Sequence, residues 1–217
     1  HRRGTPSTYD ALVDGVPLAD VIHESTEIPG LYVVPATIDL AGAEIELVSL
    51  VAREQRLSRA LEAYTAWREE VGQERLDYVF IDCPPSLGLL TINAMTAVTE
   101  VLIPIQAEYY ALEGLSQLLK NVQMIQKHLN PKLQVSTILL TMFDARTNLA
   151  VQVAEEVRAH FPEQLLGTAI PRNVRISEAP SYQQTVLTYD PASAGAVAYR
   201  EAAAEIAGRG APTALKG

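Results

Sequence analysis

An aspartate that directly follows an uninterrupted apolar run is the first residue of this chain that could support catalysis. Residues 78–81 combine aromatic and β-branched side chains, and Asp82 comes next. Such a run predicts a strand buried on both faces of a parallel sheet. A carboxylate at its end can hold a magnesium ion beside the β- and γ-phosphates of a nucleotide, which is the Walker B pattern. An aspartate that serves a turn or caps a helix produces the same pattern, so other motifs must decide.

Two further loops follow apolar runs and carry planar or cationic side chains. Residues 141–148 include Phe143 and Arg146, either of which offers a planar surface to a purine base. The alternative is an ordinary helix start, with residue 147 or 148 as the N-cap. Residues 170–175 contain Arg172 and Arg175, which fit contact with phosphate from a nucleotide or from DNA. Arginines that are simply solvated near a helix start remain the alternative.

A third loop, residues 106–114, carries paired acids that could suggest acid–base chemistry. No histidine partner or metal-ligand cluster accompanies these acids, so a helix start with acids in its first turn is favoured. The four histidines show no ligand spacing, and no nucleophile elbow occurs in the chain. A metalloenzyme or a serine hydrolase is therefore disfavoured.

The elements that must position these loops alternate between strand and helix patterns. Strands are predicted at residues 31–35, 78–82, 101–105, 135–141 and 165–170. Helices are predicted at 40–71, 91–97, 112–129, 149–161 and 192–207. Alternation of this kind predicts an α/β fold with a mostly parallel sheet and helices on both faces. We expect a single domain over residues 1–207 and a flexible tail over 208–217.

Composition restricts the class of protein and the partners it can bind. The chain has 217 residues, 48% of them hydrophobic, with a net charge of −9. It has no apolar run long enough to span a bilayer, and its single cysteine, Cys83, suits a reducing cytosol. Residues 120–175 nevertheless hold seven basic residues against four acidic ones. DNA binding over the whole surface is excluded by charge, whereas one basic face remains possible.

Several motifs in the same order resemble the ParA/Soj family of chromosome- and plasmid-partitioning ATPases. The resemblance extends from about residue 8 to residue 206. The runs that carry it are residues 34–44, 80–91, 108–114 and 170–181, with 141–148 and 189–196 in support.

The resemblance implies a P-loop ATPase of the deviant Walker class that uses ATP and Mg²⁺. It also implies a homodimer formed with ATP, non-specific DNA binding, a ParB-type partner that stimulates hydrolysis, and a cytoplasmic, nucleoid-associated location without membrane binding. By position, Asp82 would be the catalytic and metal-binding acid. Nucleotide contacts would fall to Pro171, Asn173, Arg172, Phe143 and Arg146, and DNA contacts to Arg175, Arg172, Arg158 and Lys132.

The sequence departs from that family at its phosphate-binding loop. No GK[ST] run occurs anywhere in the 217 residues, and the first residue is His1. A triphosphate without a glycine-rich cradle has no anion site. We therefore expect that strands are missing at the N-terminus, that the sequence is truncated, and that the chain as it stands does not hydrolyse ATP.

Two alternatives remain open. One is a non-catalytic ParA-like binding module. The other is a MinD-like positioning ATPase, which would need a basic amphipathic C-terminal helix. Residues 202–217 are instead rich in alanine and glycine, which argues against the second alternative.

Overall fold

The computed structural model describes residues 5–84 and 86–210, which fall into two compact units. The first unit comprises residues up to 99 together with 124–133. The second comprises residues 100–123 and 134 onward. The single domain expected over residues 1–207 stays a prediction.

The first unit is mainly helical. Its core includes a cluster formed by Ala11, Leu18, Val21 and Tyr64, all buried. Two strands pair antiparallel, with His23 opposite Val33. The elements are a π-helical turn at Asp10–Asp14, α1 at Leu18–Val21, β1 at His23–Glu24, β2 at Tyr32–Val33, α2 at Leu40–Leu47, a 3-10 turn at Arg53–Gln55, α3 at Arg56–Glu70 and α4 at Leu89–Ala97.

The helix predicted over residues 40–71 is interrupted, which corrects the expectation of one continuous element. The apolar residues Val48 and Val51 at the break are exposed, so no buried face sustains the helical period there. The buried Asn93 replaces the missing backbone partners. Its side-chain amide donates to the Arg53 carbonyl over 2.7 Å, and its oxygen accepts from the Leu57 amide over 3.2 Å.

The strand predicted over residues 78–82 is wrong in this structure. Residues 73–84 form no helix or strand, and Phe80 is 73% exposed. A strand exists only when a neighbouring strand accepts and donates its backbone hydrogen bonds. Among residues 5–84 and 86–210 no segment pairs with this run. The side chains of Tyr78 and Phe80 stack on each other instead, with ring centroids 6.0 Å apart.

The second unit contains the parallel pair that the sequence predicts. Its strands are β3 at Glu100–Gln106 and β4 at Gln134–Thr141. Two isolated parallel bridges, Ile138 with Leu165 and Phe143 with Pro171, extend the pairing beyond β4. The predicted strand over 165–170 is thus present only as these bridges. The structure is α/β with parallel pairing and helices, as predicted.

The helices of the second unit close its core. The amphipathic helix α5, Ala111–His128, begins here, and its last turn belongs to the first unit. Ile105 and Ile138 pack with Val153 and Val157 of α6, Asn148–His160. The remaining elements are α7 at Val174–Glu178, a 3-10 turn at Ala179–Tyr182, α8 at Val186–Tyr189 and α9 at Ala194–Gly210. Residues 208–210 of the predicted tail are therefore helical, and 211–217 lie outside the described residues.

Candidate functional site

Asp82 lies in the irregular segment of the first unit and is exposed to solvent. No three His, Cys, Asp or Glu side chains in the described part of the chain converge to hold a metal ion. Magnesium is commonly bound by one or two carboxylates together with water and substrate phosphates, so a lone acid is chemically adequate only when a nucleotide supplies the other ligands. The donor set therefore fits a nucleotide-bound Mg²⁺ and not a metal held by the protein alone.

The segment that follows Asp82 is attached to α4. Thr91, buried in the first turn of this helix, donates its hydroxyl to the Ser86 carbonyl over 2.7 Å. Gly88 is the N-cap, and the Glu44 carboxylate of α2 lies against it and accepts from the Leu90 amide over 3.4 Å. A Cβ at residue 88 would collide with that carboxylate. The space that Gly88 leaves open thus lets α2 contact the end of the Asp82 segment.

A cleft of about 910 Å³ opens in the second unit where β3 and β4 end. Ligands of parallel α/β sheets bind at this edge. Its walls combine apolar strand residues with Tyr109, Tyr110, Met142, Asp144 and Arg172. The rings of Tyr109 and Tyr110 are exposed and meet edge to face, with centroids 5.1 Å apart. The cleft is therefore suited to a flat, partly apolar ligand.

Backbone pairing brings three of the predicted nucleotide-binding residues together. The Phe143 amide donates to the Ile170 carbonyl over 3.0 Å, and the Arg172 amide donates to the Phe143 carbonyl over 3.1 Å. Pro171 lies between these two bonds, opposite Phe143. Of the three, Arg172 lines the cleft, whereas the Phe143 side chain packs against the core.

Met142 precedes this pairing with a φ of 50°, a left-handed backbone conformation that is costly for a residue with a side chain. Such strain is retained where the surrounding structure fixes the chain, and it often occurs at functional loops. Here it turns the Met142 side chain toward the cleft and lets the chain continue into the Phe143 bridge.

Arg146 is held by Asp144. The guanidinium donates to both carboxylate oxygens, over 2.9 and 2.8 Å, and the Arg146 amide donates to Oδ1 over 3.0 Å. These bonds lower the pKa of Asp144 to about 2. The Arg146 side chain is otherwise 89% exposed, so the face that the sequence predicted for base contact is open to solvent.

Asn173 serves as the N-cap of α7, and its side-chain oxygen accepts from the Arg175 amide over 2.8 Å. The helix is packed closely by α9, because a Cβ at Gly195 would lie 2.7 Å from Ile176 Cγ1 and 3.5 Å from Asn173 Cβ. The capping role was not part of the prediction for Asn173. The cap uses only the side-chain oxygen of Asn173, so the side-chain NH₂ group of Asn173 remains available to donate to a nucleotide.

The four cations predicted to contact DNA are all exposed but differ in their partners. Arg175 contacts Glu178 and Asp190, and Arg172 contacts Glu108 over 3.6 Å. Arg158 on α6 and Lys132 in the first unit form no ion pair with any residue that the structure describes. The roles of these cations stay predictions.

The acids that bind these arginines are the functional residues that sequence reasoning missed. Glu178 follows Arg175 by three positions, so helical spacing could have identified that pair. Asp190 and Glu108 are distant in sequence from their partners, and no local signal indicates them. The loop at 106–114 was correctly predicted as a helix start, since α5 begins at Ala111 with Glu113 in its first turn.

Comparison with known proteins gives matches over nearly the whole chain. A family model described as an AAA domain matches residues 2–135. The sporulation initiation inhibitor protein Soj of Bacillus subtilis is 55% identical over 202 residues, 93% of this chain and 76% of that protein. The chromosome partitioning protein ParA of Myxococcus xanthus is 48% identical over 208 residues, 96% of this chain and 70% of that protein.

A solved structure agrees with these relatives. Cobyrinic acid a,c-diamide synthase from Mycobacterium smegmatis, with bound ADP and magnesium, superposes with a TM-score of 0.71 at 33% identity, over 91% of this chain and 70% of that one. Within residues 5–84 and 86–210, every helix is too short or too polar to cross a bilayer. By the family model and by the identity to Soj and ParA, the chain belongs to the ParA/Soj family of P-loop partitioning ATPases.

Proposed function

We propose that this protein is a DNA-partitioning ATPase that binds ATP with Mg²⁺ and acts in the segregation of a chromosome or a plasmid. The observation that carries the proposal is the 55% identity to Soj over 93% of the chain. That stretch includes the apolar run ending in Asp82 and the loops after β4 and before α7. A likeness confined to the fold would not support a shared activity, because one fold serves many functions.

Asp82 is the residue that would hold Mg²⁺ in this proposal. Its carboxylate is exposed, and within residues 5–84 and 86–210 no strand pairs with the run that precedes it, so it can approach a nucleotide-bound ion. When bound, the ion neutralises charge on the β- and γ-phosphates. The protein's own contribution is to orient the Asp82 carboxylate. The Thr91 bond that ties the segment to α4 and the Glu44 bond that ties α4 to α2 serve that purpose.

The nucleotide base is assigned to the loops of the second unit. Pro171, Asn173 and Arg172, together with Phe143 and Arg146, are the proposed contacts. Backbone pairing between Phe143 and Arg172 keeps these loops in register, which is the physical support for assigning them one ligand. Arg172 additionally brings a cation to the cleft.

The remaining parts of the proposal concern partners. The protein would dimerise with ATP, bind DNA without sequence preference, and respond to a ParB-type protein that stimulates hydrolysis. Its location would be cytoplasmic and nucleoid-associated. Four exposed cations, Arg175, Arg172, Arg158 and Lys132, support DNA contact, because phosphate binding depends on accessible lysine and arginine side chains.

The first test is ATP hydrolysis by the intact protein, meaning the 217 residues together with the phosphate-binding loop that the resemblance implies, with and without non-specific DNA and a ParB-type partner. Asp82→Asn should reduce the rate by about 100-fold or more, because the loss of metal-linked charge stabilisation costs several kcal/mol. Asp77→Asn, a neutralisation of an exposed acid five residues earlier, is the matched control and should leave the rate unchanged. Equal rates for wild type and Asp82→Asn would contradict the role of Asp82.

The 217 residues by themselves should not hydrolyse ATP, because they contain no GK[ST] run. That same observation favours a second candidate function, a non-catalytic binding module. Titration of Mg–ATP into the 217-residue chain by calorimetry addresses both. No binding by this chain together with hydrolysis by the intact protein would support the ATPase. No hydrolysis by either would favour the binding module.

A further inference from the structure

Arg175 lies between two carboxylates that come from different elements. Its Nη1 donates to Glu178 Oε2 over 2.9 Å within α7, and its Nε lies 3.3 Å from Asp190 Oδ2 just after α8. The side chain is about half exposed. Two negative charges thus surround one positive charge at a surface that the proposed function assigns to DNA.

Each of the two acids also makes a contact of its own, through the side chain of Glu178 and through the backbone of Asp190. The Tyr189 hydroxyl donates to Glu178 Oε2 over 3.4 Å, and the Tyr189 ring stacks on Tyr182 with centroids 5.0 Å apart. The Asp190 carbonyl accepts from the Ser193 amide and hydroxyl at the start of α9. Contacts within the protein therefore position the Glu178 carboxylate and the Asp190 backbone near Arg175.

Hydrogen bonding to Glu178 raises the pKa of Arg175, which shows that the acids favour the charged guanidinium. The other predicted DNA-binding cations are less constrained. Arg172 has one carboxylate at 3.6 Å, and neither Arg158 nor Lys132 is paired with an acid in the described part of the chain. Arg175 is thus the most strongly neutralised of the four.

We propose that Glu178 and Asp190 form an acidic clamp that competes with DNA phosphate for Arg175 and thereby limits the affinity of the protein for DNA. The inference rests on the proposed DNA binding. A phosphate oxygen can take the place of a carboxylate oxygen, because a guanidinium donates to either with the same fork geometry. Exposed ion pairs are weak, so the exchange is accessible but reduces the gain from each new phosphate contact.

The clamp has a distinct signature in salt. Each phosphate that a cation neutralises makes the slope of log K against log salt concentration more negative by about 0.9 on duplex DNA. Where Arg175 stays with its acids, that contribution is absent. Release of the clamp should therefore steepen the slope by up to about 0.9, whereas a general decrease in negative charge would not add a discrete phosphate contact.

The experiment measures binding of the intact protein, loaded with Mg–ATP, to a fluorescently labelled random-sequence duplex by anisotropy, between about 50 and 200 mM salt. Glu178→Gln and Asp190→Asn should each tighten binding roughly 1.5- to 5-fold, and the double variant more. Glu201→Gln, which removes the same charge from an exposed position on α9, is the matched control. Arg175→Ala added to the double variant should abolish the gain.

The outcomes separate the clamp from the DNA binding on which it rests. If Arg175→Ala weakens binding but the clamp variants behave like Glu201→Gln, the clamp is overturned and DNA binding by Arg175 stands. If wild type and all variants fail to bind the duplex, the proposed DNA binding is overturned together with the clamp. Circular dichroism melting of each variant ensures that the comparison is made on folded protein. Glu178→Asp keeps the negative charge, so its affinity for the duplex should stay closer to that of wild type than the affinity of Glu178→Gln.

Discussion

Two apolar runs of similar composition have opposite fates in this molecule. Residues 101–105 of β3 lie beside β4 in parallel register and contribute buried side chains to a core. Residues 78–81, every one of which is β-branched or aromatic, have no strand beside them in the described structure and are largely exposed. The difference teaches that side-chain type makes a strand possible, whereas a backbone partner makes it form.

The largest effect is expected from a direct test of this comparison, in which one side chain in each region of the 217-residue chain is truncated. Ile138→Ala, at a fully buried position of β4, should lower the free energy of unfolding by about 2–5 kcal/mol, because it leaves a cavity in the core. Phe80→Ala should change it by about 0.5 kcal/mol or less, as at other exposed positions. Urea denaturation measures both. A large loss from Phe80→Ala would mean that another segment covers this run.

A second, smaller effect concerns backbone groups that do find partners in the first unit. Asn93→Ala should lower the free energy of unfolding by about 1–3 kcal/mol, because the Arg53 carbonyl and the Leu57 amide would lose their buried partner. Asn148→Ala, at an exposed position on α6, is the matched control and should change stability by about 0.5 kcal/mol or less. Equal effects in urea denaturation would show that Asn93 does not stabilise the break between α2 and α3.

The smallest expected effects concern the pH dependence of stability. Asp144 in the second unit loses its contribution at acid pH, whereas Tyr9 in the first unit loses its contribution at alkaline pH. Bonds from Arg146 lower the pKa of Asp144 to about 2, so its stabilisation is present above its ordinary pKa of about 4 and is lost as the pH falls toward 2. The hydrogen bond to Glu46 raises the pKa of Tyr9 to about 12, so that contribution is present below about pH 10 and is lost as the pH rises toward 12.

Melting temperatures across pH would test both contributions. Asp144→Asn should flatten only the acid limb of the stability profile, and Tyr9→Phe only the alkaline limb. A Tyr9→Phe variant that retains the wild-type alkaline limb would show that the Glu46 bond does not contribute.

The predictions from sequence succeeded where a pattern specifies both an element and its neighbour. The runs at 101–105 and 135–141 flank an amphipathic helix, so a parallel pair follows from the crossover rule, and the structure contains it. The helix over 40–71 was only partly correct. Its apolar periodicity continues through Val48 and Val51, but nothing buries those side chains, and the polar Asn93 that stabilises the break lies about forty residues away.

The candidate site was also predicted only in part. Backbone pairing joins the loops at Phe143 and Arg172, as expected for segments that follow parallel-paired stretches of chain. The acids beside the arginines were not predicted, because Glu108 and Asp190 reach Arg172 and Arg175 through tertiary structure and leave no periodic signal. The presence of an arginine in a sequence therefore does not reveal whether its charge is already paired with an acid in the folded protein.

Gly195 lies where α9 packs against α7, next to the contacts of Arg175. A Cβ there would lie within 3 Å of two Ile176 side-chain atoms, so α9 approaches α7 as closely as the bare backbone allows. Any larger residue at position 195 would therefore have to displace the Ile176 side chain. Since Arg175 is the neighbour of Ile176 and Asp190 lies just before α9, we expect a larger residue at position 195 to change the 3.3 Å separation between the Arg175 guanidinium and the Asp190 carboxylate.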